Sequence, residues 1–211
     1  MQSLIRGVRE FRTRIFESRR TLFEELARGQ RPDVLFITCS DSRIDPNLLT
    51  QAAPGELFVL RTAGNIVPPY SFGPGGEAAT IEYAVAYLKV RDIIICGHSH
   101  CGAVKGLLQP ESLAGLPTVA AYLARSEATR PIVVDDRSDP DPGAPLDAAI
   151  RRHVLAQVEN LRTHPAVSAA VARGDLRLHG WVYVFETCEV LGYDAAADRF
   201  HPIAADDAPE E

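Results

Sequence analysis

No uncharged apolar run in the 211 residues approaches the ~20 that a membrane-spanning helix needs, so membrane insertion is not expected. A surplus of positive charge is also missing. With 22 Lys and Arg against 28 Asp and Glu the formal net charge is −6, and a nucleic-acid binder of that sign would have to offset its own repulsion of phosphates. There is no Cys-x-x-Cys, the usual thiol-redox motif. No Gly-x-Gly-x-x-Gly follows a strand-like run, so a dinucleotide has no cradle. The opening MQSLIRGVREFRTRIFESRR scatters Arg through its apolar positions, unlike a secretory signal, and Glu10 and Glu17 argue against a transit peptide. Cytoplasm is the expected compartment. The four Cys are expected as thiols or metal ligands rather than a disulfide framework.

What is present is globular in character: 46% hydrophobic and 24% charged, enough to bury one substantial core. Leu4, Val8, Phe11 and Ile15, then Leu22, Phe23 and Leu26, recur at helical spacing, so residues 1–28 read as an N-terminal helical arm stopped at Gly29. The arm either docks on its own domain or lies across a partner subunit. Short β-rich runs at 34–38, 57–60 and 92–96 read as buried strands, and a helical segment at 78–88 is entered through Gly73-Pro74-Gly75-Gly76. Strand, crossover and strand imply parallel pairing. The expected fold is α/β, a central mostly parallel sheet of about four strands plus an edge strand (Trp181 to Glu186), flanked by helices. Residues 29–203 form the single domain. Leu146, Ile150, His153, Val154, Gln157 and Leu161 share one helical stripe, preceded by a polar, Pro-rich and mobile loop at 135–143; the acidic tail 204–211 is expected to be disordered.

Two motifs carry chemistry. Cys39-Ser40-Asp41-Ser42-Arg43 follows the first strand and His98-Ser99-His100-Cys101-Gly102 follows the third. Ligands of open α/β sheets gather at the carboxyl ends of strands, so folding can bring Cys39, His98 and Cys101 together. Two thiolates and one imidazole suit Zn²⁺ and leave a fourth position for water or substrate. Taken singly, a Cys ending a strand is a small hydrophobe, and an isolated His-x-x-Cys is weak. The joint placement favours a catalytic metal site. Asp41 and Arg43 alternate with Cys39 at steps of two, which puts all three on one side of an extended turn. Paired with Arg43, Asp41 should stay ionised and accept a proton from water at the metal; freed, it would swing onto the metal and block it. Cys96 and Cys188 read as core or incidental residues.

CSDSR and GHSHCG, with RTAGNIVPPY and GGEAATIEYAV between them, resemble the β-class carbonic anhydrases. The resemblance runs from about residue 29 to 106 and returns at Glu159-Asn160-Leu161 and His179-Gly180-Trp181. It implies zinc-dependent reversible hydration of CO2 to bicarbonate and a proton, by attack of zinc-bound hydroxide on CO2, with one zinc per subunit. By position, Cys39, His98 and Cys101 match the family's zinc ligands, and Asp41 with Arg43 its catalytic dyad. Gln30 matches a glutamine that helps hold substrate. Phe58, Ala63 and Tyr83 match positions that in plant-type members line the CO2 pocket from the neighbouring subunit, and Gly102 matches a glycine whose N–H faces substrate. The resemblance further implies a homodimer or higher homo-oligomer, favours the arm lying across the partner, and names CO2 and bicarbonate as the small-molecule partners.

One departure stands out. Some bacterial members hold a non-catalytic bicarbonate with Trp, Arg and Tyr, which stabilises the blocked form. The matching positions here are Phe36, Arg61 and Tyr183, and Phe has no indole N–H to donate. Asp41 is therefore expected to stay on Arg43. Relatives with the same ligands hydrolyse carbonyl sulfide or carbon disulfide, and a non-catalytic zinc scaffold would have no need of Asp41, Arg43 and Gln30. Gly97 to Gly102 echoes a P-loop, but Ala103 and Val104 stand where Lys and Ser or Thr belong. His100 reads as a proton relay or a surface histidine.

Overall fold

The structure is a computed structural model that describes residues 1–129 and 144–203; the loop at 135–143 and the tail at 204–211 lie outside the described residues. The chain divides into two compact units, Met1–Arg31 and Pro32–Glu211. In the first, α1 (Gln2–Glu10), a π-helical turn (Phe11–Ile15) and α2 (Phe16–Ser18) precede α3 (Arg20–Leu26). The expected single helix is interrupted. Phe11 and Phe23 would stand about 18 Å apart along a straight helix, yet their rings meet edge-on at 5.4 Å. The turn is at Arg19, whose φ of −127° and ψ of 27° leave the helical region. Leu4, Val8, Phe11 and Ile15 remain exposed.

The second unit is built on β1 (Val34–Cys39), β2 (Leu57–Thr62), β3 (Asp92–His98), β4 (Arg177–Val184), β5 (Glu189–Asp194) and β6 (Arg199–Pro202). They form one six-stranded mixed sheet in the order β2-β1-β3-β4-β5-β6. The first four are parallel, and β5 and β6 add antiparallel. The expected edge strand at 181–186 is therefore an interior strand that begins earlier, at Arg177, and two hairpin strands follow it. Leu35, Ile37 and Cys39 of β1 join Ile93 and Ile95 of β3 in the main core, while Phe36, Ile94 and Cys96 build a smaller core with Trp181 and Tyr183 on the other face. That alternation is the period of two of a strand buried on both sides.

Helices α4 (Pro46–Thr50), α5 (Gly76–Glu82), α6 (Gly102–Leu108), α7 (Pro117–Leu123), α8 (Ala144–Arg162) and α9 (Pro165–Ala172) are the described α-helices of this unit; a π-helical segment (Tyr83–Leu88) continues α5, and short 3-10 turns, one of them Ala63–Asn65, lie between the other elements. α8 supplies Ala149, Ile150, Val154, Val158 and Leu161 to the main core. It lies tight on β3: a Cβ at Gly97 would come 2.7 Å from Val154 Cγ2 and 3.3 Å from Ile150 Cγ2. From β1 the chain crosses to β2 on one side and then to β3 on the other. The connections therefore diverge between β1 and β3, and a crevice opens at their carboxyl ends.

Candidate active site

β1 ends on Cys39 and β3 on His98, the two strands that flank this crevice, and Cys101 is the N-cap of α6. The ligating atoms of Cys39, His98 and Cys101 lie within 4.8 Å of one another, and all three residues are buried. His98 Nδ1 donates to the Ser99 carbonyl at 2.8 Å, which turns the Nε2 lone pair inward. Nε2 is buried and has no hydrogen-bond partner. Left so, it would cost about 1–3 kcal/mol; as a metal ligand it carries no such cost.

The cysteines point the same way. The Cys39 thiol is pulled well below its ordinary value, first by the Cys101 thiol, against its own burial, and then by His98 and the backbone N–H groups of Asp41 and Gly64. Cys101 is pushed up, first by Cys39 and then by burial. Two buried sulfurs this close are the donor pair that a divalent cation binds as two thiolates. The donor set, two soft sulfurs and an imidazole, fits zinc.

Asp41 faces this cluster. Arg43 clamps its carboxylate, Nε to Oδ1 at 2.9 Å and Nη2 to Oδ2 at 2.8 Å, and the Arg43 backbone N–H adds 2.9 Å to Oδ1. These bonds, the Arg43 side chain first, hold the Asp41 carboxyl well below the usual carboxylate range. Asp41 Oδ2 also stands 3.8 Å from His98 Nε2. The group is thus an ionised, accept-only oxygen beside the three ligand atoms. Arg61 fixes the loop that carries it, through the carbonyls of Cys39 (3.1 Å), Asp41 (2.7 Å) and Ile44 (2.7 Å).

Sequence reasoning missed the support beneath Cys39. Gly64, in the turn after β2, donates its N–H to Cys39 Sγ at 3.4 Å, and its carbonyl is held by His153 Nε2 at 2.7 Å. Gln157 Oε1 accepts from Val67 N at 2.9 Å and Asn160 Nδ2 donates to the Val67 carbonyl at 2.8 Å. One polar edge of α8 therefore pins the segment that aims Gly64. His153, which shares one helical stripe with Ile150 and Val154, is buried and serves as a hydrogen-bond donor; burial pushes its pKa down and keeps it neutral. The spacing of His153, Gln157 and Asn160 along one helix was the available signal.

Phe58 and Tyr83 are brought together, ring centroids 6.0 Å apart. Ala63 is exposed beside Gly64, and Gly102 is exposed at the first turn of α6. Gln30 belongs to the N-terminal unit, where it is exposed. His100, with φ of 56°, is paired with Glu186, whose other oxygen accepts from Ser99 Oγ at 3.0 Å. Phe185, which no motif marked, lies beneath Arg43. Cys96 is buried in the smaller core, and Cys188 is exposed in the turn after β4.

Comparison with known proteins agrees with this geometry. Residues 34–190 match the family model described as carbonic anhydrase. The chain is 51% identical over 201 residues to a carbonic anhydrase of Synechocystis sp., covering 95% of this chain and 73% of that one. It is 48% identical over 204 residues to a carbonic anhydrase of Pseudomonas aeruginosa, covering 97% and 92%. Among solved structures, the β-carbonic anhydrase CcaA superposes with a TM-score of 0.92 at 50% identity, covering 96% of this chain and 99% of that one. One of two tetrameric β-carbonic anhydrases from Sordaria macrospora follows at 0.82 and 27%, covering 96% and 98%.

Proposed function

The chain belongs to the β-class carbonic anhydrases, and from that premise we propose which of its residues carry the reaction. The reaction is the zinc-dependent, reversible hydration of CO2 to bicarbonate and a proton. Cys39, His98 and Cys101 hold the metal, one ion per chain. When bound, zinc supplies a Lewis acid that makes water nucleophilic near neutral pH.

Asp41 is the acceptor that orients this water. Its carboxylate can only accept, so a water bonded to it presents its proton to Asp41 and a lone pair to the carbon of CO2. Arg43 keeps the carboxylate ionised and turned. Phe58, Ala63 and Tyr83 line an apolar pocket for CO2 shared between copies of the chain, and the Gly102 N–H faces its oxygens, where negative charge develops. The proximity of the Phe58 and Tyr83 rings supports that pocket.

A homodimer or larger assembly follows from shared pocket positions. The exposed Leu4, Val8, Phe11 and Ile15 support an arm that covers a second copy, and the Sordaria macrospora neighbour is tetrameric by its description. Among the described residues no helix is long and apolar enough to cross a membrane, and the four free cysteines suit a reducing cytoplasm.

The observation that carries the reading is Asp41, salt-bridged to Arg43 at 2.8 Å and 3.8 Å from the unpartnered His98 nitrogen. Stopped-flow CO2 hydration on zinc-loaded protein, with Asp41→Asn alongside, tests it. Fast turnover in the parent and a loss of about 10²-fold or more in the variant are expected for an acceptor of this kind. A fully active Asp41→Asn removes Asp41 from the reaction.

A further inference from the structure

Phe185 is the first residue past β4, and it touches both halves of the site. The Arg43 Cζ lies over its ring, 4.5 Å from the centroid. The His98 imidazole lies on it at 5.0 Å between centroids, with 35° between planes. The ring itself is tethered. Tyr183 meets it edge-on at 5.2 Å and 89°. The Phe185 N–H donates to Ser99 Oγ at 2.9 Å, and that hydroxyl donates to Glu186 Oε2 at 3.0 Å. Glu186 also faces His100, so the turn after β4 is stitched to the loop that follows His98.

Arg43 needs such a support. Its side chain is 52% exposed, and it belongs to a residue type with many rotamers. Its bonds to Asp41 and its 3.4 Å approach to the His100 carbonyl lie in or near the guanidinium plane. In-plane bonds define an edge and leave tilt about that edge free. An aromatic face beneath the cation acts perpendicular to the plane and removes that freedom. The same ring bears on His98, so the guanidinium and the imidazole are set against one ring. The Asp41 carboxylate, 3.8 Å from His98 Nε2, is a short swing from the ligand atoms, and among the described residues only Arg43 donates hydrogen bonds to its two oxygens.

We propose that Phe185 is a positioning residue for CO2 hydration: its ring seats Arg43 and thereby holds Asp41 turned toward Arg43 rather than toward the atoms of Cys39, His98 and Cys101. The inference rests on Asp41 and Arg43 acting as the pair described above.

The test compares Phe185→Leu and Phe185→Met, which keep an apolar side chain but remove the π face, with Phe185→Tyr, which keeps the face, and with Asp41→Asn. CO2 hydration gives kcat and KM, metal analysis gives zinc per chain, and the cobalt(II)-substituted proteins are titrated with azide and followed by visible absorption. Phe185→Leu and Phe185→Met are expected to retain the metal and lose about tenfold in kcat, with KM held within about twofold, while Phe185→Tyr stays within about twofold of the parent. The cobalt bands of the Leu and Met variants should respond less to azide, because the released carboxylate occupies the place azide would take. Unchanged kcat in Phe185→Leu and Phe185→Met, an equal loss in Phe185→Tyr, or loss of zinc or of folding in both Leu and Met variants each overturns the proposal. A fully active Asp41→Asn would instead sink the Asp41–Arg43 pair. A crippled Asp41→Asn beside an unaffected Phe185→Leu sinks the seat alone.

Discussion

Gly64 aims its backbone N–H at the Cys39 sulfur from 3.4 Å, and it does so from a φ of +70°. The turn after β2 thus contributes a donor to a thiolate on β1, and it requires a conformation that costs an L-residue about 1–2 kcal/mol. A Cβ at this position would also come 2.7 Å from Ala103 Cβ. Gly64→Ala is therefore expected to destabilise the fold by about 1–3 kcal/mol and to release zinc to a chelator faster than the parent. Thermal melts and zinc-release kinetics check both. Ala103→Gly in the same chain should recover the packing share and leave the dihedral share, so full recovery would contradict the assigned strain.

Gly97 is constrained by space rather than by φ. Its missing side chain lets Val154 Cγ2 sit where a Cβ would be 2.7 Å away. Gly97→Ala is expected to cost about 1–3 kcal/mol by overpacking, measured by denaturant unfolding. Combined with Val154→Ala, much of that cost should disappear, since the two changes share one volume and are non-additive. Strict additivity of the two single effects would show that α8 does not press on β3 at this point.

The parts of this architecture that were legible in the sequence are those whose signal is local. Val34 to Cys39 and Asp92 to His98 announce themselves as buried strands because both faces are apolar, and the ligand motifs follow at once. The sequence shortens β4 because the strand opens with Arg177 and His179, polar residues that look like loop but bind Asp92 of β3 at 2.8 and 2.7 Å. β6 is four residues containing a Pro, tolerable only at an edge. The apolar spacing of the helical arm carries no mark of the turn at Arg19. The hold of His153 on Gly64 spans 89 residues, and that of Phe185 on Arg43 joins two loops. Neither has a local pattern.

The polar start of β4 has a pH signature. Burial opposes ionisation of Asp92, but hydrogen bonds from Arg177 and His179 outweigh it and hold its carboxyl below the usual value. A depressed folded pKa means that the unfolded chain binds the proton first. The stability this group contributes is present above the ordinary aspartate value of about 3.9 and is lost as pH falls through the folded one. Asp92→Asn should melt at a lower temperature than the parent at neutral pH, with the gap narrowing as the pH drops below about 4. A gap that is constant across the acid range would remove Asp92 from the linkage.

Metal removal should act on stability and activity together. Without a cation, the buried His98 Nε2 lacks a partner and the buried sulfurs of Cys39 and Cys101 crowd one another within 4.8 Å. A ligand that binds only the folded state raises its melting temperature by mass action. Chelation is expected to abolish hydration and lower the melting temperature, with both restored by stoichiometric zinc. Because zinc must displace protons from its ligands, retention should weaken as pH falls. A thiol reductant alone should change neither readout. Activity that survives full chelation would exclude the metal from the reaction.

The last expectation concerns which way Asp41 turns. Phe36 is fully buried and meets Trp181 edge-on at 6.1 Å, so the position matching the family's tryptophan offers no N–H. Arg61 has committed Nε and Nη2 to three carbonyls of the loop between Cys39 and Ile44. A bicarbonate on that face would have to break bonds that fix the loop carrying Asp41, and would gain no donor from Phe36 in exchange. The Asp41–Arg43 clamp, by contrast, is bidentate and charge-assisted, the strong form of such a pair. Adding bicarbonate near neutral pH is therefore expected to slow hydration only by mass action, without a cooperative collapse of the rate. A crystal of the zinc protein grown at neutral pH should show Asp41 on Arg43. Asp41 bound to the metal under those conditions would mean that the clamp is weaker than the metal's pull, and that Phe36 does not protect the open arrangement.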